Sequence, residues 1–194
     1  MEETGEHKGT DTSHRWIVDP LDGTTNFLHG QPHWCISIAL ERDRNIIAGL
    51  IYAPIIDELF LAERGQGATL NDRRIRVSAR TKLSDALISC GIPNLGRGNG
   101  ERFLAEIGSL QNEVTGLRCL SASALDMAWV AAGRFDAFWE YGLQPWDTAA
   151  ASLLIREAGG SMTDTTGGER WMQSGNVLAS NDQLHQLMLA RLKG

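Results

Sequence analysis

The segment from Arg15 to Gly23 constrains what this chain can fold into more than any other. Arg15-Trp16-Ile17-Val18 is a short apolar run that stops at Asp19-Pro20-Leu21-Asp22-Gly23. Bounded by turn residues in this way, it reads as a buried strand. Pro20 has no N–H to donate and pushes Asp19 towards extended geometry, so strand pairing is expected to end there. The strand then delivers Asp19 at its carboxyl end, where α/β proteins place ligands, and Asp22 follows three residues on. Two carboxylates this close repel unless a proton or a cation lies between them. No His/Cys cluster accompanies them, so a hard, oxygen-seeking ion such as Mg2+ is the natural guest. Gly23-Thr24-Thr25 can start a helix whose N–H groups bind phosphate, with the Thr hydroxyls as further donors. The same residues also suit an ordinary surface turn, since Asp, Pro and Gly are turn formers.

The rest of the chain alternates. His33 to Leu40, Ile46 to Tyr52 and Glu58 to Ala62 read as strands, joined by turns at Asp43-Arg44-Asn45 and Pro54 to Asp57, an antiparallel meander. Gly65 and Gly67 mark another tight connection, and near Arg80 to Asp85 the pattern turns mixed. Ala86 to Cys90 and Leu117 to Leu120 read as strands around a helix, Gly100 to Gln111, with Phe103, Leu104, Ile107 and Leu110 on one side. Ser123 can cap a helix with Asp126 three residues on, and Gly133 ends it. Phe135 to Glu140 is a strand. Pro145 opens a helix with Trp146, Ala149, Ala150, Leu153 and Leu154 on its apolar face, stopped by Gly159-Gly160. A strand from Asn176 to Ala179 and a helix from Asp182 to Leu192 close the chain. The fold class expected is layered α/β, with residues 1–80 an antiparallel metal- and phosphate-binding part and 81–194 a mixed part completing the site.

Composition excludes several classes. With 194 residues the chain can bury about 70% of its unfolded surface and needs no disulfide or metal staple. A 42% apolar fraction with 22% charged residues is globular rather than disordered. The formal charge of −6, with no basic stripe, argues against nucleic acid as a direct ligand. No apolar run is long enough for a membrane span, and the polar N-terminus is no secretory signal. Cys35, Cys90 and Cys119 lack CxxC spacing and read as reduced, buried thiols of a cytoplasmic protein. The six tryptophans are expected mostly in the core, and His29 and His33 in a loop.

A second motif, Pro145-Trp146-Asp147-Thr148-Ala149-Ala150, puts Asp147 in the first helical turn, where an acidic side chain also simply favours the helix dipole. Asp-Pro-Leu-Asp-Gly-Thr-Thr-Asn and Trp-Asp-Thr-Ala-Ala with the trailing Glu-Ala-Gly-Gly, in this order, resemble the two signatures of the inositol monophosphatase family. The intervening stretch from Ser121 to Glu140 is also similar to bacterial members. The aspartyl-phosphate phosphatases are the nearest rival, but their Asp-x-Asp-Gly-Thr motif is one residue shorter than the Asp-x-x-Asp-Gly-Thr here, so Asp19 is a poor nucleophile candidate.

The resemblance implies a layered α/β/α/β/α sandwich and a lithium-sensitive, Mg2+-dependent phosphatase. It implies Asp19, Asp22, the Leu21 carbonyl and Asp147 as metal ligands. Glu2, in the Glu2-Glu3 pair seventeen residues before Asp19, is implied as a further one. Gly23 and Thr24 match phosphate-binding amides, Ser121, Ala122 and Ser123 the loop lining the substrate ring, and Glu140 the residue contacting substrate hydroxyls. Arg118 is similar to an arginine near that pocket, and equally reads as a surface arginine. About two or three Mg2+ ions would activate a water that Glu2 and Thr24 orient. The implied substrate is inositol 1-phosphate or a similar small polyol phosphate. Fructose bisphosphate, histidinol phosphate and phosphoadenosine phosphate are the alternatives, and a possible homodimer is implied too. Family members carry a helical region upstream of the acidic pair, so Glu2 is expected to be loosely anchored, with one metal bound well and another poorly. A catalytically weak regulatory protein on the same fold is the reading from a different class.

Overall fold

A computed structural model describes residues 13–93 and 99–192. Six strands form one wholly antiparallel sheet: β1 (His14–Asp22), β2 (Cys35–Arg42), β3 (Asn45–Ala53), β4 (Glu58–Glu63), β5 (Gly67–Leu70) and β6 (Arg73–Arg74), in sequence order. Short turns join them, with Asp43 and Arg44 both at positive φ. A short helix, α1 (Thr24–Leu28), interrupts the meander between β1 and β2. Five strands form the second sheet, in the order β10 (Ser161–Thr163), β11 (Val177–Ser180), β9 (Ala137–Glu140), β7 (Leu87–Cys90), β8 (Gly116–Arg118). The parallel pairings of β7 with β8 and β9 need crossovers, supplied by helices.

Helices α3 (Ser123–Ala131) and α4 (Pro145–Glu157) lie between the sheets, and α2 (Gly100–Leu110) and α6 (Asp182–Leu192) cover the far face of the second; α5 (Trp171–Ser174) is a single turn. The described residues thus build four successive layers, as the layered α/β expectation requires. The outermost helical layer of the expected sandwich has no counterpart among them. No helix among the described residues is long and apolar enough to cross a membrane.

The α4 expectation of one apolar face understates its burial. Every residue from Thr148 to Ile155 is buried, because the helix has a sheet on one side and α3 on another. Small side chains, Ala149 to Ala151, let it approach closely, and Gly49 of β3 receives it: a methyl on Gly49 would meet the Ala150 carbonyl oxygen at 2.8 Å.

Several expectations are corrected. β1 does not end at Asp19-Pro20. A bulge between Asp19 and Asp22 absorbs the missing N–H, and pairing resumes at Asp22 opposite Cys35. Nor is β1 buried on both faces, since it is the sheet edge and Trp16 and Val18 are exposed while Ile17 and Asp19 face inward. Leu104 is exposed: on α2 the inward stripe is Phe103, Glu106 and Leu110. Glu106 can occupy it because Arg102 Nε (2.9 Å), Trp139 Nε1 (3.1 Å) and the Tyr141 hydroxyl all donate to its carboxylate. The tryptophans are mostly core as expected, Trp139 fully buried and Trp129, Trp146 and Trp171 packed against the core, whereas Trp16 is exposed. Cys119 is exposed, just beyond the end of β8, whereas Cys35 and Cys90 are buried.

Gly49→Ala is expected to lower the stability by about 1–3 kcal/mol, the usual cost of overpacking a closed interface. Gly108→Ala, on the exposed face of α2 with no atom near its added methyl, is expected to raise it by up to about 1 kcal/mol. Urea unfolding of both variants checks this pair.

Candidate active site

The β1 bulge, the start of α1, the start of α3, the end of β9 and the start of α4 converge on one cleft of about 460 Å3. Its walls include Asp19, Leu21, Asp22, Gly23 and Thr24 from the first segment, Ser121 and Ser123, Glu140, and Trp146 with Asp147. A larger, more open hollow of about 990 Å3 lies beside the start of β1 and holds the Arg15–Glu41 pair, but the three aspartates are in the smaller cleft.

The chain holds each aspartate by backbone donors. Leu21 N–H donates to Asp19 Oδ1 at 2.9 Å, closing the turn that Pro20 begins. Ala124 N–H, at the start of α3, donates to Asp22 Oδ2 at 2.8 Å, and the Cys35 thiol donates to the same oxygen at 3.5 Å. Gln144 N–H donates to Asp147 Oδ2 at 2.7 Å, so the first turn of α4 fixes that carboxylate. One oxygen from each of the three comes within 4.8 Å of the others. Asp19 and Asp22 are buried and Asp147 is half-buried. Burial, then the negative charges of Asp147 and Asp19, push the Asp22 carboxyl well above its ordinary range. Burial likewise pushes the Cys35 thiol up, with the Asp22 charge adding to it. Three oxygen-donor carboxylates that repel one another this strongly are the donor set a hard divalent cation fits.

Gly23 adopts φ 88°, and a methyl there would crowd Ala122 Cβ and the His33 carbonyl, both at 3.1 Å. Thr24 Oγ1 donates to the Leu21 carbonyl at 3.0 Å, which orients that hydroxyl beside the aspartates. Asn26 Nδ2 donates to the carbonyls of His33 and Leu120, both at 2.7 Å, tying the α1 segment to the loop before α3. That tie was not expected, although Asn26 stands inside the first motif.

Across the cleft, Ser123 Oγ donates to Glu140 Oε2 at 2.7 Å. Burial pushes the Glu140 carboxyl up to about 8, against the lowering effect of the Ser123 hydrogen bond; the charges of Asp147 and Asp126 add to the rise. Gly91 makes room for it, since a methyl there would overlap the Glu140 carboxylate.

The remaining sequence candidates separate. Ala122, not Ser123, occupies the cap position of α3, and Ser123 is freed to reach Glu140. Asp126 has no capping role; it accepts from Ser89 Oγ at 2.7 Å and pairs with His33 Nε2 at 2.7 Å, so His33 is anchored rather than loose. Ala122 lies buried behind the cleft wall, against Gly23. Arg118 is exposed, its Nη1 donating to the Leu117 carbonyl at 2.9 Å, and it does not line the cleft. Glu2 lies outside the described residues.

A carboxyl held above its ordinary value favours folding only while protonated. The Glu140 contribution is therefore complete below about 4.5 and is lost as pH rises through about 8. In protein stripped of divalent ions, the urea midpoint should fall between about pH 4.5 and about pH 8 and level off above. Glu140→Gln should flatten that fall by about 1–2 kcal/mol. A pH series of urea melts on both proteins reads the difference.

Comparison with known proteins points one way. Residues 1–193 match the profile of the Inositol monophosphatase family. The inositol-1-monophosphatase of Mesorhizobium japonicum is 55% identical over 193 residues, covering 100% of this chain and 73% of that protein. The Nus factor SuhB of Escherichia coli is 44% identical over 192 residues, covering 99% and 72%. The crystal structure of extragenic suppressor protein suhB from Bartonella henselae superposes with a TM-score of 0.96 at 52% identity, covering 99% of this chain and 75% of that one.

Proposed function

Since this chain belongs to the inositol monophosphatase family and is a phosphoric monoester hydrolase, we propose that it releases phosphate from inositol 1-phosphate or a similar small polyol phosphate with Mg2+. The observation that carries this reading is the convergence of Asp19, Asp22 and Asp147 in one cleft, opposite Ser123 and Glu140. Asp19, Asp22, Asp147 and the Leu21 carbonyl would hold about two or three Mg2+ ions, with Glu2 as a further ligand. When bound, Mg2+ supplies charge neutralisation of the phosphate and lowers the pKa of a water.

The chain's own groups do the rest. The amides of Gly23 and Thr24 bind phosphate oxygens. The Thr24 hydroxyl gives its proton to the Leu21 carbonyl, so its oxygen is turned to accept from a water, which Glu2 also orients. Ser121, Ser123 and Glu140 receive the polyol hydroxyls, and the small side chains of that loop leave room for the ring. Residues 1–80 serve as the metal- and phosphate-binding part, and 81–194 supply the polyol side and Asp147. A cytoplasmic location and a homodimer belong to the same reading.

The relatives named as Nus factors suggest a regulatory protein on this fold. The intact aspartate cluster favours the enzyme instead, because a binding surface has no need of two carboxylates pushing a third, Asp22, above its ordinary range.

Asp147→Asn keeps a carbonyl oxygen for the Gln144 amide while removing one charge from the cluster. It should retain the unfolding midpoint and lose at least about a hundredfold in kcat. Phosphate release from inositol 1-phosphate, titrated with Mg2+ and repeated with Li+, reads both the metal dependence and the expected inhibition. Wild-type turnover in the variant, or turnover in chelator, would refute the assignment.

A further inference from the structure

Two cysteines that the hydrolysis does not use stand in contact beside the polyol side of the cleft. Cys90 ends β7 and Cys119 follows β8. The parallel ladder pairs Ser89 with Arg118, so Cys90 and Cys119 are the next residues opposite each other. Adjacent strands run about 4.8 Å apart, within the Cα separation that disulfides require. The two sulfur atoms are already 3.2 Å apart, with the thiols hydrogen-bonded to each other. Cys119 is exposed and Cys90 is buried, so one sulfur is open to a reagent and the other waits behind it.

We infer that Cys90 and Cys119 are a dithiol that closes reversibly to a disulfide in the presence of a low-molecular-weight disulfide, and that closure reshapes the polyol side of the cleft. Cys119 attacks first: its thiolate bonds to one sulfur of the small disulfide and expels the other half as a thiol, leaving a mixed disulfide. Cys90 then attacks the Cys119 sulfur and expels the second half as a thiol. The protein sulfurs lose two electrons to the small disulfide, and the two protein thiol protons end on the two thiols released. The hydrogen bond from Cys90 pulls the Cys119 thiol down to about 7, while the same contact, and then burial, push Cys90 far up. An attacking thiol with a pKa near ambient pH reacts fastest, which suits Cys119 to the first step.

The consequence for the cleft follows from the neighbours. Closing the sulfurs from 3.2 Å to about 2 Å draws Cys119 towards β7. Leu120 and Ser121 come next in the chain, their carbonyls accept from Asn26 at 2.7 and 3.4 Å, and Ser121 is held at φ 60°. On the other strand Gly91 follows Cys90 and backs the Glu140 carboxylate. Ser121, Ser123 and Glu140 are on the polyol side; Asp19 and Asp147 are held by Leu21 and Gln144, outside this loop, whereas Asp22 accepts from Ala124 N–H at its far end. Closure therefore acts first on polyol binding and less on the metal site, where Asp22 alone of the three aspartates is held from this loop, a consequence that rests on the function proposed above.

The test treats the full chain with oxidised glutathione and then maps its peptides without reduction. The expected product is about 2 Da lighter than the reduced chain, with a Cys90–Cys119 linked peptide that dithiothreitol reverses, and Cys35 still free. Cys90→Ala should instead keep glutathione on Cys119, and Cys119→Ser should give no linked peptide. Hydrogen exchange at Leu120 to Ser123 should change on oxidation of the wild type and not of Cys119→Ser. The KM for inositol 1-phosphate should rise on the order of tenfold, with the Mg2+ half-saturation changing less. A wild-type product that stops at the glutathione adduct overturns the dithiol. A linked peptide with unchanged exchange and unchanged KM overturns the coupling to the cleft. A reduced chain without phosphatase activity refutes the proposed function alone, because mass and exchange still decide this inference.

Discussion

Three carboxylates held within 4.8 Å of one another are the constraint on which the rest of the structure depends. Left to themselves they would separate or take up protons, and the raised Asp22 carboxyl records that tendency. They stay together because each accepts from a backbone N–H in a different element: the β1 bulge, the start of α3 and the start of α4. A backbone donor cannot swing away as a side chain can. Loss of any one element would release one carboxylate from the cluster.

The second requirement is that these three elements be fixed relative to each other, and burial of α4 meets it. A helix buried on nearly all sides, with alanines against Gly49, has little freedom to slide along the sheet. Asp147 at its first turn is therefore positioned by the packing of the buried run Thr148 to Ile155 that follows it. Asn26 ties the first motif to the loop before α3 in the same way, through carbonyls rather than a salt bridge. The cleft is thus assembled from chain segments more than a hundred residues apart, each held by short-range chemistry.

The two sides of the cleft differ in what controls them. Around the aspartates, charge dominates and a cation is the natural response. Around Glu140 the carboxyl is held near neutrality by burial, with Ser123 as its donor. A group that changes charge near neutral pH, flanked by a thiol pair in contact, makes the Glu140 side the more adjustable one.

The antiparallel meander, the helix opened by Pro145 and both aspartate motifs were legible in the sequence, because periodicity, Pro and Gly act over a few residues. The family resemblance likewise rests on local runs. What the sequence could not show is how pairing survives Pro20, since a bulge depends on the partner strand. Nor could it show that Leu104 points outward, because Glu106 takes the inward stripe only when Trp139 and Tyr141 arrive to satisfy it. Arg118 and Ser121 are neighbours in the chain, yet only Ser121 lines the cleft, and the sulfur contact of Cys90 with Cys119 exists only once β7 and β8 pair. The sequence alone determined which oxygen-donor residues stand together in each motif, because residue type and local spacing are covalent facts. The tertiary structure decided which of them meet, because burial and strand pairing join segments that the covalent chain keeps apart.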